Sequence, residues 1–267
     1  FCGFKSIPRE FVGSTISQLE LTGNPMSGFE FPTWLSEWSA LEEFALNICN
    51  ITGTLPASLG EMTQLTRVVI GSAPHLHGVI SPTWGNLVNM RGLFIYQIGL
   101  TGTIPPELGA WTKIERLVLA ETGLTGTIPP ELGQMSAASY VLLNHNKLSG
   151  TLPRELEHMT ALADLAVHSN NLSGTIPPSW GTNMVNLVNL RAFDNSLSGT
   201  LPPGFPALEI VDVHNNNLQG HLDILCNKAK LGIVDVSSNG LSSFPDCKTC
   251  IGEVDISNNA FVGQLPT

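Results

Sequence analysis

Aliphatic residues recur along nearly the whole chain in pairs separated by one position. The pairs are Leu19/Leu21, Phe44/Leu46, Val68/Ile70, Leu93/Ile95, Leu117/Leu119, Val141/Leu143, Leu165/Val167, Leu190/Ala192, Val211/Val213, Val234/Val236 and Val254/Ile256. Successive pairs are 25, 24, 25, 24, 24, 24, 25, 21, 23 and 20 residues apart. Alternation over three or four residues predicts a short strand whose aliphatic side chains point one way and whose intervening ones point the other. A period in the twenties predicts a solenoid, because one such unit cannot bury its own apolar face and must stack on copies of itself. The segment GLTGTIPPELG occurs twice, at 99–109 and 123–133, one period of 24 residues apart.

Polar positions follow the same period. An asparagine stands shortly after the strand as Asn24, Asn146, Asn170, Asn195, Asn216, Asn239 and Asn259. Pointed inward, its amide can bond backbone groups that a tight turn leaves unpaired. Cys49 takes that place in the second unit, while Ala73, Ile98 and Thr122 interrupt the series. Glycine and proline then bend and fix the chain, so the far side is expected to consist of loops and short helical turns.

Units such as LADLAVHSNNLSGTIPPSW (162–180) resemble leucine-rich repeats of the plant type, marked by L-x-G-x-[IL]-P after the strand. The mark appears as ITGTLP, LTGTIP twice, LSGTLP twice, LSGTIP and FVGQLP. The resemblance implies an α/β fold: a right-handed horseshoe solenoid of about eleven repeats, with a concave parallel β-sheet and convex loops and 3-10 turns. It spans residues 16–267, with 1–15 as an N-terminal cap segment. The convex segments EMTQL, HMTAL, SPTWGNL and PPSWG also resemble kinetoplastid surface-antigen repeats, although methionine and tryptophan serve equally as core fillers.

Composition narrows the role. A net charge of −10 argues against nucleic acid or an anionic membrane as the main partner. No apolar run reaches the ~18–20 residues of a membrane span, so a membrane is expected only through an anchor outside this chain. Neither G-x-S-x-G, H-E-x-x-H nor a phosphate-cradling glycine loop is present, and no catalysis or cofactor is expected. Asn50 and Asn171 begin N-x-[ST] sequons, which together with the cysteines points to export. Cys226 and Cys247, one repeat apart, are the preferred disulfide, and Cys49 is the cysteine expected to be buried. FVGQLPT ends directly on a repeat motif, and we read the chain as a monomeric fragment that continues into further repeats, a stalk or an anchor.

The candidate site is the concave column between the buried aliphatics: Glu20, Ala45, Val69, Phe94, Val118, Leu142, Ala166, Arg191, Asp212, Asp235 and Asp255. Val69, Phe94, Tyr96, Val118, Tyr140 and Leu142 form an apolar patch, with Arg67 and Arg116 as its charged rim, as at a protein or peptide interface. The competing explanation is plain β-propensity, or a loop that covers the patch. The flanking columns face solvent too: Asp164 stands in the column before this one, and His168 and Phe193 stand in the column after it. Asp212, Asp235 and Asp255 form a carboxylate ladder that is a docking strip for a basic partner, a weak Ca²⁺ site, or simply a solvated end; no resident metal is expected.

The expected role is recognition of a protein or peptide ligand, extracellular or at the cell surface, as in a plant-like receptor ectodomain or a protist surface antigen. The alternatives are a secreted inhibitor of a pathogen hydrolase and a structural or carbohydrate-associated surface protein.

Overall fold

Each aliphatic pair marks one turn of a stacked coil. The computed structural model describes residues 9, 12–24, 26, 28–225, 231–243 and 252–262. Among them the main sheet has eleven strands in strict chain order, from Gln18–Glu20 to Glu253–Asp255, and every pairing is parallel. The expected register holds: Leu93 lies beside Leu117, Leu117 beside Val141, Val141 beside Leu165 and Leu165 beside Leu190. From Phe44 to Val236 both members of each pair are buried. Leu19, Val254 and Ile256, in the outermost described turns, are only partly covered, since among the described residues each has a sheet neighbour on one side alone.

The residue after each strand segment turns the chain inward by adopting left-handed backbone, as at His145 (φ 52°), Ser169 (φ 54°) and Asp194 (φ 51°). The asparagine that follows is thereby aimed into the coil. Asn170 Nδ2 donates to the carbonyls of Leu143 and Val167 at 3.0 Å each, and its Oδ1 accepts from the Leu148 N–H at 2.9 Å. Asn146, Asn195, Asn216, Asn239 and Asn259 repeat this two-turn pattern. At about 0.5–1.5 kcal/mol net per bond, each one ties adjacent turns as well as closing its own. The Cys49 thiol substitutes by donating to the Leu21 carbonyl at 3.1 Å, and burial raises its pKa. Ala73 and Ile98 interrupt the ladder as buried apolar fillers, whereas the Thr122 hydroxyl donates to Asn146 Oδ1 at 2.5 Å.

The convex side is built of single 3-10 turns, including Ala57–Glu61, Pro82–Asn86, Pro106–Ala110, Pro130–Gln134 and Arg154–His158. Proline opens three of them, at Pro82, Pro106 and Pro130, where its fixed φ suits a helical start and no N–H is needed. Trp38, Trp84, Trp111 and Trp180 are fully buried, with Met62, Met135 and Met159 beside them, so the convex tryptophans and methionines are packing residues. Arg9 reaches Glu37 at 3.2 Å and lies over the Trp34 ring, which joins the N-terminal segment to the first turn.

Two features depart from the sequence expectation. The L-x-G-x segments are not plain loops: they pair in a five-stranded parallel sheet from Ser149–Thr151 to Gly240–Ser243 and a three-stranded one from Gly53–Thr54 to Gly99–Thr101. The segment SAPHLHG, which lacks the L-x-G-x-[IL]-P mark, still contributes the strand Leu76–Val79 to the smaller sheet, with Leu76 in the core and His77 exposed. Cys2, Cys226, Cys247 and Cys250 lie outside the described residues, and so does the expected Cys226–Cys247 bridge; Cys49 is buried with a free thiol.

Leu119, fully buried in the middle strand, anchors the register. Leu119→Ala is expected to lower unfolding free energy by about 2–5 kcal/mol in denaturant titration, and a loss under 1 kcal/mol would contradict this packing. Ile48 is a β-branched residue at φ 53° and 64% exposed, so it carries backbone strain with little burial in return. Ile48→Asn should therefore raise stability by about 1 kcal/mol in the same titration, and a loss would refute the strain.

Candidate functional site

Strand pairing sets the residues between the buried aliphatics into a continuous column. Glu20, Ala45, Val69, Phe94, Val118, Leu142, Ala166, Arg191, Asp212, Asp235 and Asp255 follow one another across the sheet in the order read from the sequence. None of the large ones is inside the stack. Val69, Phe94, Val118 and Leu142 are half-buried on the sheet face, as is Tyr96 in the adjoining column, and Tyr140 is 40% exposed.

The rings of this patch lie down along the sheet. Gly71 and Tyr96 are in register, and a Cβ at Gly71 would collide with the Tyr96 ring, so the ring rests in the space that glycine leaves. Arg67 and Arg116 are not merely a rim, as the sequence had implied. Their guanidinium carbons sit 5.4 Å from the ring centres of Phe94 and Tyr140, in cation–π contact over the apolar surface. Arg67 also stands 4.0 Å from Glu43, an exposed pair that contributes little stability.

Small residues in these columns open a hollow of about 290 Å³ at the first four turns, beside Glu20, Ala45, Asn47 and Val69. Ala45 is 7% exposed, shaded by its larger neighbours. Asn47 Oδ1 is shielded from water and has no hydrogen-bond partner among the described residues. Such an orphaned acceptor costs about 1–3 kcal/mol. Neither Ala45 nor Asn47 stands out in the sequence; the signal was the pair of small residues, Ala45 and Gly71, set among bulky ones.

The middle of the sheet corrects the sequence reading twice. Ala166 and Asp164 were expected to face solvent, yet they are 3% and 8% exposed. Ala166 is too short to rise between Leu142 and Arg191, its neighbours in the column. Asp164 is covered because Arg191 folds back onto it, Nη1 to Oδ1 at 3.1 Å, while Asn189 donates to Oδ2 at 3.0 Å. Arg191 therefore neutralises Asp164 and does not head the carboxylate ladder.

Beyond it runs an aromatic stack. The rings of His168 and Phe193 lie 4.1 Å apart at 11°, those of Phe193 and His214 4.5 Å apart at 10°, and His145 meets His168 edge-on at 4.9 Å. Burial under Phe193 pushes the His168 pKa down to about 4, with the neighbouring His145 and Arg191 adding to the effect. The carboxylates are partnered locally. His214 Nδ1 lies 2.6 Å from Asp212 and 3.6 Å from Asp235. Asp235 accepts from the Ser237 N–H and hydroxyl at 3.0 and 2.7 Å. Burial raises the pKa of Asp212, whereas the Ser257 N–H lowers that of Asp255. Asp212, His214 and Asp235 offer three ligand atoms within 4.8 Å of one another, but their mutual hydrogen bonding already accounts for the grouping. Asn50 and Asn171 are both exposed at the surface.

His168 makes stability depend on pH in a defined direction. Its folded pKa of about 4 lies below the ordinary 6.5, so the unfolded chain takes up the proton first as pH falls. The stabilisation is present above pH 6.5 and is lost between 6.5 and 4. His168→Gln should flatten the fall of Tm across that window in thermal unfolding, and parallel curves would contradict the assignment.

No protein-family model matches the chain, and no curated protein does. Solved structures do. A plant peptide hormone receptor, RGFR1, in complex with RGF2 aligns at TM-score 0.90 and 29% identity, over 98% of this chain and 43% of that one. The Arabidopsis receptor kinase HAESA, in complex with the peptide hormone IDA and the co-receptor SERK1, aligns at TM-score 0.79 and 30% identity, over 93% and 46%. A TDR receptor aligns at TM-score 0.85 and 26% identity, over 98% and 50%. The chain thus spans half or less of the length of these receptors. It has the α/β leucine-rich-repeat solenoid fold, in the form that plant receptor ectodomains take.

Proposed function

We propose that the chain is a recognition module acting outside the cell or at its surface, which holds a peptide or an extended protein segment on its concave sheet. The observation that carries this reading is the row Val69, Phe94, Val118 and Leu142 with Tyr96 and Tyr140 beside it. Large apolar side chains there are neither absorbed into the core nor hidden under a described loop. Buried positions are fixed by folding, but half-covered apolar ones gain only when a partner removes the remaining water. Arg67 and Arg116, already stacked on the rings, add charged donors for carbonyls or carboxylates. The peptide complexes of the structural neighbours support a peptide as the ligand class, and the receptor ectodomains among them support an extracellular location. Hydrolase inhibition, a surface-antigen role and a purely structural role gain no such support. His168, Arg191, Phe193, Asp212, Asp235 and Asp255 would form the polar continuation of the same surface, and Asn50 and Asn171 remain proposed glycosylation sites.

The test begins with peptides selected from a random display library on the intact chain. Phe94→Glu combined with Leu142→Glu should weaken their binding at least tenfold while Tm falls by only a few degrees, read by calorimetry and thermal unfolding. Binding that survives the double change would place the site elsewhere. Unfolding would show that these side chains are core.

A further inference from the structure

The hollow at the first four turns has a chemistry of its own. It exists because the central column carries Ala45 between Glu20 and Val69, while the next carries Gly71 between Asn47 and Tyr96. Two acceptors bound it on different turns: the orphaned Asn47 Oδ1, and the exposed Glu20 carboxylate, which accepts the Thr22 hydroxyl at 2.6 Å and retains further lone pairs. Val69 and Phe94 supply an apolar wall. Arg67 also lines the hollow, with its guanidinium laid over the Phe94 ring at 5.4 Å.

We infer that this hollow is a subsite for a lysine side chain of the ligand, an inference that rests on the concave-face reading above. The four-carbon stem would lie along Val69 and Phe94, and the ammonium would donate to Asn47 Oδ1 and the Glu20 carboxylate. Acceptors on separate turns suit a compact charge with three rotatable donors better than the planar fork of arginine. The chain's net charge of −10 favours the approach of a cation. Tyr96 rests over Gly71, which lies beside Asn47 in the same column, so its ring would report the entry of the ammonium.

The probe is Nα-acetyl-lysine N-methylamide, titrated into the intact chain and followed by NMR at the Asn47 side-chain amide and the Tyr96 ring. Saturable shifts are expected at both. The norleucine analogue, which lacks the ammonium, and the glutamate analogue should bind at least tenfold more weakly. Ala45→Leu fills the hollow without touching Asn47, and Asn47→Leu removes the acceptor; each should weaken the lysine probe at least tenfold. Equal binding of the norleucine or glutamate analogue, or shifts indifferent to Ala45→Leu, would overturn the subsite. The two readings separate on the selected peptides. Dependence on Phe94 and Leu142 with indifference to both Asn47 and ligand lysine overturns the subsite alone, whereas indifference to Phe94 and Leu142 overturns the docking surface.

Discussion

Each turn of this coil buries its apolar face only against the turns on either side. That mutual dependence governs the rest. It forces Leu93, Leu117, Val141 and Leu165 into one register, since a slip of one residue would carry aliphatic side chains to the solvent face. The asparagine ladder reinforces the register, because each amide bonds a carbonyl of the previous turn as well as its own. Once the inward positions are locked, the outward ones have no freedom of placement. They form columns whose order across the sheet is simply the order of the repeats.

The outward columns divide by chemistry. The first half carries aromatic and aliphatic groups with guanidinium ions laid over the rings, and the second carries stacked imidazoles and carboxylates held by their own neighbours. A ligand running across the sheet would meet the hollow beside Glu20, then an apolar stretch with cations stacked on its rings, and then a polar, acid-lined one. This asymmetry would fix the direction in which an extended peptide lies. The coil is indifferent to these residues, so the same architecture serves different ligands by changing one side chain per turn.

Most of the fold was legible in the sequence, since the inward aliphatics and the asparagines obey a local spacing that packing then enforces. What was not legible depends on contacts between turns. The L-x-G-x segments look like loops because their strands are short and glycine-bearing; they pair only because the main sheet has already brought successive copies together. Asp164 and Arg191 are far apart in sequence and read as two solvated charges, yet they close on one another across adjacent turns. The columns read from the sequence set Val69, Phe94, Val118 and Leu142 side by side, as strand pairing does. They could not show that Tyr96 lies over Gly71, or that Asn47 keeps an acceptor unsatisfied, because both follow from how side chains lean rather than from where they start.

The central claim is that the half-covered rings on the concave sheet are the contact surface. Hydroxyl-radical footprinting of the intact chain, with and without a library-selected peptide, tests it most directly. The account predicts that Phe94, Tyr96 and Tyr140 become protected while the convex, exposed Val88 and Val185 do not change. Protection confined to the convex residues, with the three rings as reactive as before, would contradict it.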